Sequence, residues 1–247
     1  SMLLVGSTIY LTTKDGTSGD GANRTGRVFA LDPSSGALTQ IGNQWATTYQ
    51  PYCLAWHMGR LWTGTVWRSG GADVAGNVQW FRPNIDTAWT IDRTQAAGRG
   101  CSFLYSFQGQ LFAGNWTGTG TSARVEVRDS LGAWTAGLTV ATGTQSIFMN
   151  AVEFSSALYV TLYDQTASVS TVRKFNGTTW STALTTGDGK PLAQIWVEGT
   201  TIYAGGGGDN TTANLWTSTD GSAWTDRSAN LTGTNMSGTT SIGTLIT

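Results

Sequence analysis

Charge is scarce in this chain. Only 12% of its 247 residues are Asp, Glu, Lys or Arg, and the formal net charge is −1; a globular domain usually carries about 25% charged residues. Lys14, Lys174 and Lys190 are the only lysines. With so little basic surface there is no electrostatic footprint for a phosphate backbone, so nucleic acid is not an expected partner. His57 is the sole histidine, which excludes clusters of His ligands but leaves room for one general base. The two cysteines, Cys53 and Cys101, form neither a disulfide framework nor a zinc-binding pattern. They read as buried thiols. A single bridge is the alternative, since both fall near the starts of equivalent strands in consecutive repeats. No apolar run approaches the roughly 18 residues of a membrane span, and no charged-then-apolar leader opens the chain. Membrane insertion is not expected. The opening Ser1-Met2 resembles the remnant of a cleaved tag, so the start of the sequence is silent about export.

What the chain has in quantity is Gly (33 residues), Thr and Trp (12 residues), a composition of strands and tight turns. Internal repetition organises it. An aliphatic residue followed by an aromatic recurs as Ile9-Tyr10, Leu61-Trp62, Leu111-Phe112, Leu158-Tyr159 and Ile202-Tyr203, at spacings of 52, 50, 47 and 44 residues. About thirty residues after each comes Ala88-Trp89-Thr90, Ala133-Trp134-Thr135, Thr179-Trp180-Ser181 or Ala223-Trp224-Thr225, with Ala37-Leu38-Thr39 in the first repeat. Between these lines lies an alternating segment: Arg27-Val28-Phe29, Asn77-Val78-Gln79, Arg124-Val125-Glu126, Thr171-Val172-Arg173 and Asn214-Leu215-Trp216. A further apolar segment, such as Leu54-Ala55-Trp56 or Ala151-Val152-Glu153, precedes the first line. Each repeat therefore predicts four short antiparallel strands joined by turn residues. Period-2 alternation and the Gly and Thr content exclude a helical solenoid.

Four-stranded units of this length, repeated five times, predict an all-β chain: a five-bladed β-propeller of four-stranded antiparallel blades. Residues 1–247 read as one domain, with blades at about 2–52, 53–100, 101–148, 149–193 and 194–238. Residues 239–247 read as a closing strand that pairs in the first blade. The recurring tryptophans are expected to pack within or between blades. The segment Ser218-Thr219-Asp220-Gly221-Ser222-Ala223-Trp224 resembles the Asp-box turn of sialidase-type (BNR) propellers, one residue short; Asp129-Ser130-Leu131-Gly132-Ala133-Trp134 and Asn176-Gly177-Thr178-Thr179-Trp180 are weaker versions. In that family the box is a structural turn remote from the active site, so the resemblance implies a fold and supplies no functional residue. Blade count alone makes the chain similar to five-bladed lectins and furanosidases.

A propeller glycosidase needs two carboxyls flanking the scissile bond. The acid that furanosidases carry on the first inner strand is missing from Met2-Leu3-Leu4-Val5, and the inner-strand acids available here are Glu153 and Glu198. They form the candidate catalytic pair if the chain is an enzyme. A sialidase site would need three arginines and a Tyr/Glu pair, but Arg24, Arg68, Arg93 and Arg99 are scattered without a motif. Asp15 to Gly21 offers oxygen ligands without the spacing of an EF-hand, so no metal is assigned and no cofactor is expected.

The binding signal is positional. Trp67, Trp116 and Tyr163 stand just after the second strand of three consecutive repeats, where flat rings can stack on sugars; connections entering the inner strands on the same face add Trp45, Tyr49, Arg99 and Asp188. The sequence-based expectation is a non-catalytic recognition or adhesion module on an extracellular or virion surface, holding a glycan or a cell-surface protein. A glycoside hydrolase with axial carboxylates and an architectural spacer of a fibre are the alternatives.

Overall fold

The computed structural model describes residues 1–15, 25–45, 49–67, 75–96, 98–117, 122–140, 146–206 and 213–231. Among them are twenty strands and one short 3-10 helix, Ser228–Asn230. The strands form five successive antiparallel meanders. The first is β1 (Met2–Val5), β2 (Thr8–Asp15), β3 (Thr25–Leu31) and β4 (Leu38–Ile41). The second is β5 (Tyr49–His57), β6 (Arg60–Trp67), β7 (Asn77–Phe81) and β8 (Thr90–Thr94). The third is β9 (Arg99–Phe107), β10 (Gln110–Thr117), β11 (Arg124–Arg128) and β12 (Trp134–Thr139); the fourth is β13 (Ser146–Phe154), β14 (Ala157–Asp164), β15 (Val169–Phe175) and β16 (Trp180–Thr186). A single pairing, Trp116 with Ile147, links the third and fourth into one sheet. The fifth is β17 (Gln194–Glu198), β18 (Thr201–Gly206), β19 (Asn214–Ser218) and β20 (Thr225–Asp226).

Local chemistry sets the turns. First and second strands are joined by two residues, and both have positive φ at Met58-Gly59 (48° and 73°), Gln108-Gly109 (48° and 74°) and Ser155-Ser156 (48° and 58°). This is the type I′ geometry whose twist suits a hairpin. Third and fourth strands are joined by turns built on an Asp or Asn side chain. Asp129 Oδ1 accepts the N–H of Leu131 and Ala133 at 2.9 and 2.8 Å, Asn176 Oδ1 those of Thr178 and Thr179 at 3.0 and 2.8 Å, and Asp220 Oδ1 those of Ser222 and Ala223 at 2.7 and 2.8 Å. These carboxylate and amide oxygens replace a backbone acceptor within the turn. The box-like segment at Ser218 is thus a structural turn on the outer hairpin.

Consecutive sheets pack face to face, and the repeated dipeptide is the reason. Leu61 joins Tyr10 and Val28 of the first sheet, whereas Trp62 joins Cys101, Leu104 and Leu111 of the third. Leu111 likewise faces back and Phe112 forward; Leu158 faces back and Tyr159 forward, towards Ile202 and Ala204 of the fifth sheet. Adjacent strand residues point to opposite faces, so an aliphatic–aromatic pair fills two interfaces at once. The third-strand valines Val28, Val78, Val125 and Val172 are all fully buried. The recurring tryptophans also face back: Trp89 packs towards the first sheet, Trp134 towards the second, Trp180 towards the third and Trp224 towards the fourth. Leu38 stands at the same place in the first sheet and is 55% exposed, as are Met2 and Leu4 to a similar degree. At the other end of the array Tyr203 stacks on Trp196, ring centroids 5.2 Å apart, without joining a core cluster. The closing strand expected at 239–247 lies outside the described residues.

Candidate functional site

The strand order gives the sheets two unlike ends. One carries the tight hairpins. The other carries the longer connections between second and third strands and between successive sheets.

The candidate carboxylates belong to the hairpin end. Glu153 is the penultimate residue of β13 and Glu198 the last of β17, each beside a two-residue turn. Both are exposed. The N–H of Glu153 donates to Tyr105 Oη at 3.0 Å, which anchors the backbone and leaves the carboxylate in water. No described group encloses the pair.

The aromatic positions belong to the loop-bearing end. Trp67 closes β6, while Trp116 and Tyr163 are the penultimate residues of β10 and β14, so the backbone places all three at equivalent strand ends. Trp116 is half-buried and lies across from Gly100 of β9. Tyr163 is half-buried too, and its hydroxyl donates to the Gly189 carbonyl at 3.1 Å. Tyr49 and Trp67 are backbone partners in the second sheet; their side chains lie outside the described residues, as do Arg24, Arg68 and the oxygen-rich segment from Gly16. Trp45 is placed differently from the expectation. It is 7% exposed and packs on Trp89 at 5.2 Å between the first two sheets, so its ring fills a core and has no open face for a ligand. Asp188 is exposed and accepts from Asn214 Nδ2 at 3.2 Å.

Arg99 sits at the same end and is 8% exposed. It lies with Arg93 of β8, Arg124 of β11 and Glu126 of β11, all of which act on it electrostatically. Burial lowers its pKa, repulsion from Arg124 lowers it further, Glu126 partly restores it, and Arg93 again depresses it. Arg93 bridges to Glu126 at 3.0 Å, tying the second sheet to the third. Beside them Asn115 donates to Gln95 at 3.3 Å and accepts the Arg124 N–H at 2.7 Å. Sequence reasoning singled out Arg93 and Arg99 but missed Arg124 and Glu126. The available signal was a charged residue at both ends of the Val125 position, where one face must meet a neighbouring sheet.

The other polar groups near this interface are structural. His57 is buried, with Nδ1 2.9 Å from Ser106 Oγ. Burial first, then Arg128 and Arg60, hold its pKa below the usual histidine value. The Cys53 and Cys101 thiols are free and buried, their sulfurs 3.9 Å apart. Among the described residues no cluster of His, Cys, Asp and Glu suits a metal ion, and no helix is long and apolar enough to cross a membrane.

No family model matches the chain, and no curated protein matches it in sequence. Solved structures do match. A Lactobacillus plantarum protein superposes with a TM-score of 0.59 at 17% identity, over 89% of this chain and 65% of its own. A Bacteroides fragilis protein whose 6-phosphogluconolactonase activity is only proposed gives 0.56 at 14%, over 90% and 67%. The Trypanosoma rangeli sialidase bound to an inhibitor gives 0.62 at 11%, over 92% of this chain and 47% of the enzyme. The chain spans about two thirds or less of the length of these proteins. At such identities the likeness is one of fold alone, and the chain has the all-β, propeller-like architecture of stacked four-stranded sheets.

Proposed function

We propose that the chain is a recognition module, a propeller of five blades that holds a glycan or a surface protein at its loop-bearing end, as part of an extracellular or virion protein. One observation carries the reading. Trp116, Tyr163, Arg93, Arg99 and Arg124 lie at the loop-bearing end, whereas Glu153 and Glu198 are exposed at the hairpin end. Glu153 is seven residues along β13 from Ser146, roughly 20 Å at strand rise. No single ligand ring can touch both sets. Stacking rings and guanidinium groups set apart from Glu153 and Glu198 suit binding better than glycoside cleavage by that pair.

A screen of immobilised glycans and of host-surface proteins, with wild type, Trp116→Ala and Tyr163→Ala, tests this. Each ring is expected to contribute on the order of 1 kcal/mol, several-fold in affinity, with melting temperature little changed. Binding unaffected by both substitutions would place the ligand elsewhere. The likeness in fold to a sialidase keeps hydrolysis as the second reading. Turnover of aryl glycosides, sialosides or arabinans that is lost in Glu153→Gln or Glu198→Gln would put it first.

A further inference from the structure

Among the described residues where the second sheet meets the third, buried unpartnered donors outnumber unpartnered acceptors. Arg99 is more than nine-tenths buried, and its guanidinium makes no hydrogen bond or ion pair with any described residue. The Nε atoms of Arg93, Arg99 and Arg124 and the Nε2 of Gln95 are all buried without a partner. Among the described side chains, the unpartnered acceptor beside these four donors is Glu126, whose Oε1 is taken by Arg93 and whose Oε2 is itself buried and unpartnered. Three guanidinium groups therefore gather near one carboxylate; Arg93 and Arg124 are partly exposed, and the buried charge among them is that of Arg99. A buried charge is unfavourable unless something neutralises it. Glu126, already paired with Arg93, makes no hydrogen bond or ion pair to Arg99.

The rest of the surroundings removes simpler remedies. Asn115 has committed its amide to Gln95 and its carbonyl to the Arg124 backbone. The Arg99 carbonyl accepts from Gly76 at 2.7 Å, and a Cβ on Gly76 would lie 2.3 Å from the Thr65 carbonyl oxygen, so the backbone is packed tightly on that side. Arg93 keeps 41% of its side chain exposed, which leaves an approach from solvent past the outer strand. Arg99 pairs with Thr117, so it sits at the same strand end as Trp116.

We infer that Arg93, Arg99 and Arg124 form a binding site for an oxyanion, a carboxylate, sulfate or phosphate, at the interface of the second and third sheets. Planar guanidinium forks match such groups with paired N–H donors, and the anion completes the charge balance that Glu126 leaves unfinished. The site deepens the recognition reading and rests on it for its biological use: the oxyanion is the charged substituent of the bound ligand.

The experiment is thermal melting in a buffer free of oxyanions, titrated with sodium acetate, sodium sulfate or sodium phosphate against sodium chloride at matched ionic strength. Wild type is expected to gain melting temperature saturably with at least one oxyanion, and the three arms tell which chemistry the site prefers. Arg124→Gln is expected to weaken that response about tenfold. Arg99→Met is expected to abolish it and, by removing a buried uncompensated charge, to melt higher than wild type in oxyanion-free buffer. A wild type that responds to no oxyanion beyond chloride overturns the site, and so does an Arg99→Met protein that melts lower and keeps the response. The two readings fail separately. Glycan or protein binding without an oxyanion response removes the anion site alone; an oxyanion response without any such ligand removes the recognition reading.

Discussion

Asp92 of the second sheet and Arg128 of the third face each other across the interface, Oδ2 to Nε at 2.9 Å, with 15% and 12% of their side chains exposed. Trp134 Nε1 donates to the same Oδ2 at 2.7 Å, and the Arg128 guanidinium lies 5.0 Å over the Trp62 ring. One carboxylate thus joins two sheets, orients a repeat tryptophan and neutralises a cation that stacks on another. Replacing Asp92 by Ala is expected to cost about 3 kcal/mol, because it leaves Arg128 buried and unpaired. Adding Arg128→Met should recover much of that loss. Urea unfolding of the two variants checks it; equal stability of the single variant and wild type would show that the pair contributes nothing net.

Gly221 should not tolerate a side chain. Its φ is +71° and a Cβ there would lie 2.0 Å from Tyr159 Oη. Gly221→Ala is expected to destabilise by about 1–3 kcal/mol, combining left-handed strain with displacement of a buried ring. A circular dichroism melt of the variant that matches wild type would reject the turn's role in seating Tyr159.

His57 makes stability depend on pH. Its pKa is lowered in the folded chain, so below the unfolded value of about 6.5 the unfolded chain takes up a proton that the native chain refuses. Stability from this group is complete above that value and falls as pH drops towards the folded pKa. Melting temperature is expected to decline between pH 7.5 and pH 5.5, and His57→Gln should flatten that part of the profile. An identical slope in the variant would assign the decline to other groups.

The thiols should be counted twice. Burial, followed by the Cys53 hydrogen bond, pushes the Cys101 pKa well up, and Gly64 is packed so closely that a Cβ on it would lie 2.3 Å from the Cys101 sulfur. Native protein is expected to react slowly with a thiol reagent and denatured, unreduced protein to release both thiols. Finding none after denaturation would mean that the 3.9 Å gap closes into a bridge.

Much of the architecture was legible from local patterns. Ile9-Tyr10, Leu61-Trp62 and their three equivalents fall in second strands, and the Asp and Asn turns sit between third and fourth strands, because alternation and turn chemistry act over a few residues. Trp45 was misread for the opposite reason. A ring just before an inner strand looks like a rim residue along the chain, and only the packing of the first sheet on the second turns it into the core beside Trp89.

The sequence by itself determined the repeat, the four-stranded unit and the two-sided character of each aliphatic–aromatic pair, since these follow from strand periodicity. Tertiary structure decided which charges meet. Arg93, Arg99, Arg124 and Glu126 come from three strands of two sheets, and Asp92 reaches Arg128 thirty-six residues away. No local rule encodes such pairings, because the stagger between stacked sheets, set by the bulk of side chains throughout the interface, places one sheet's edge against the next.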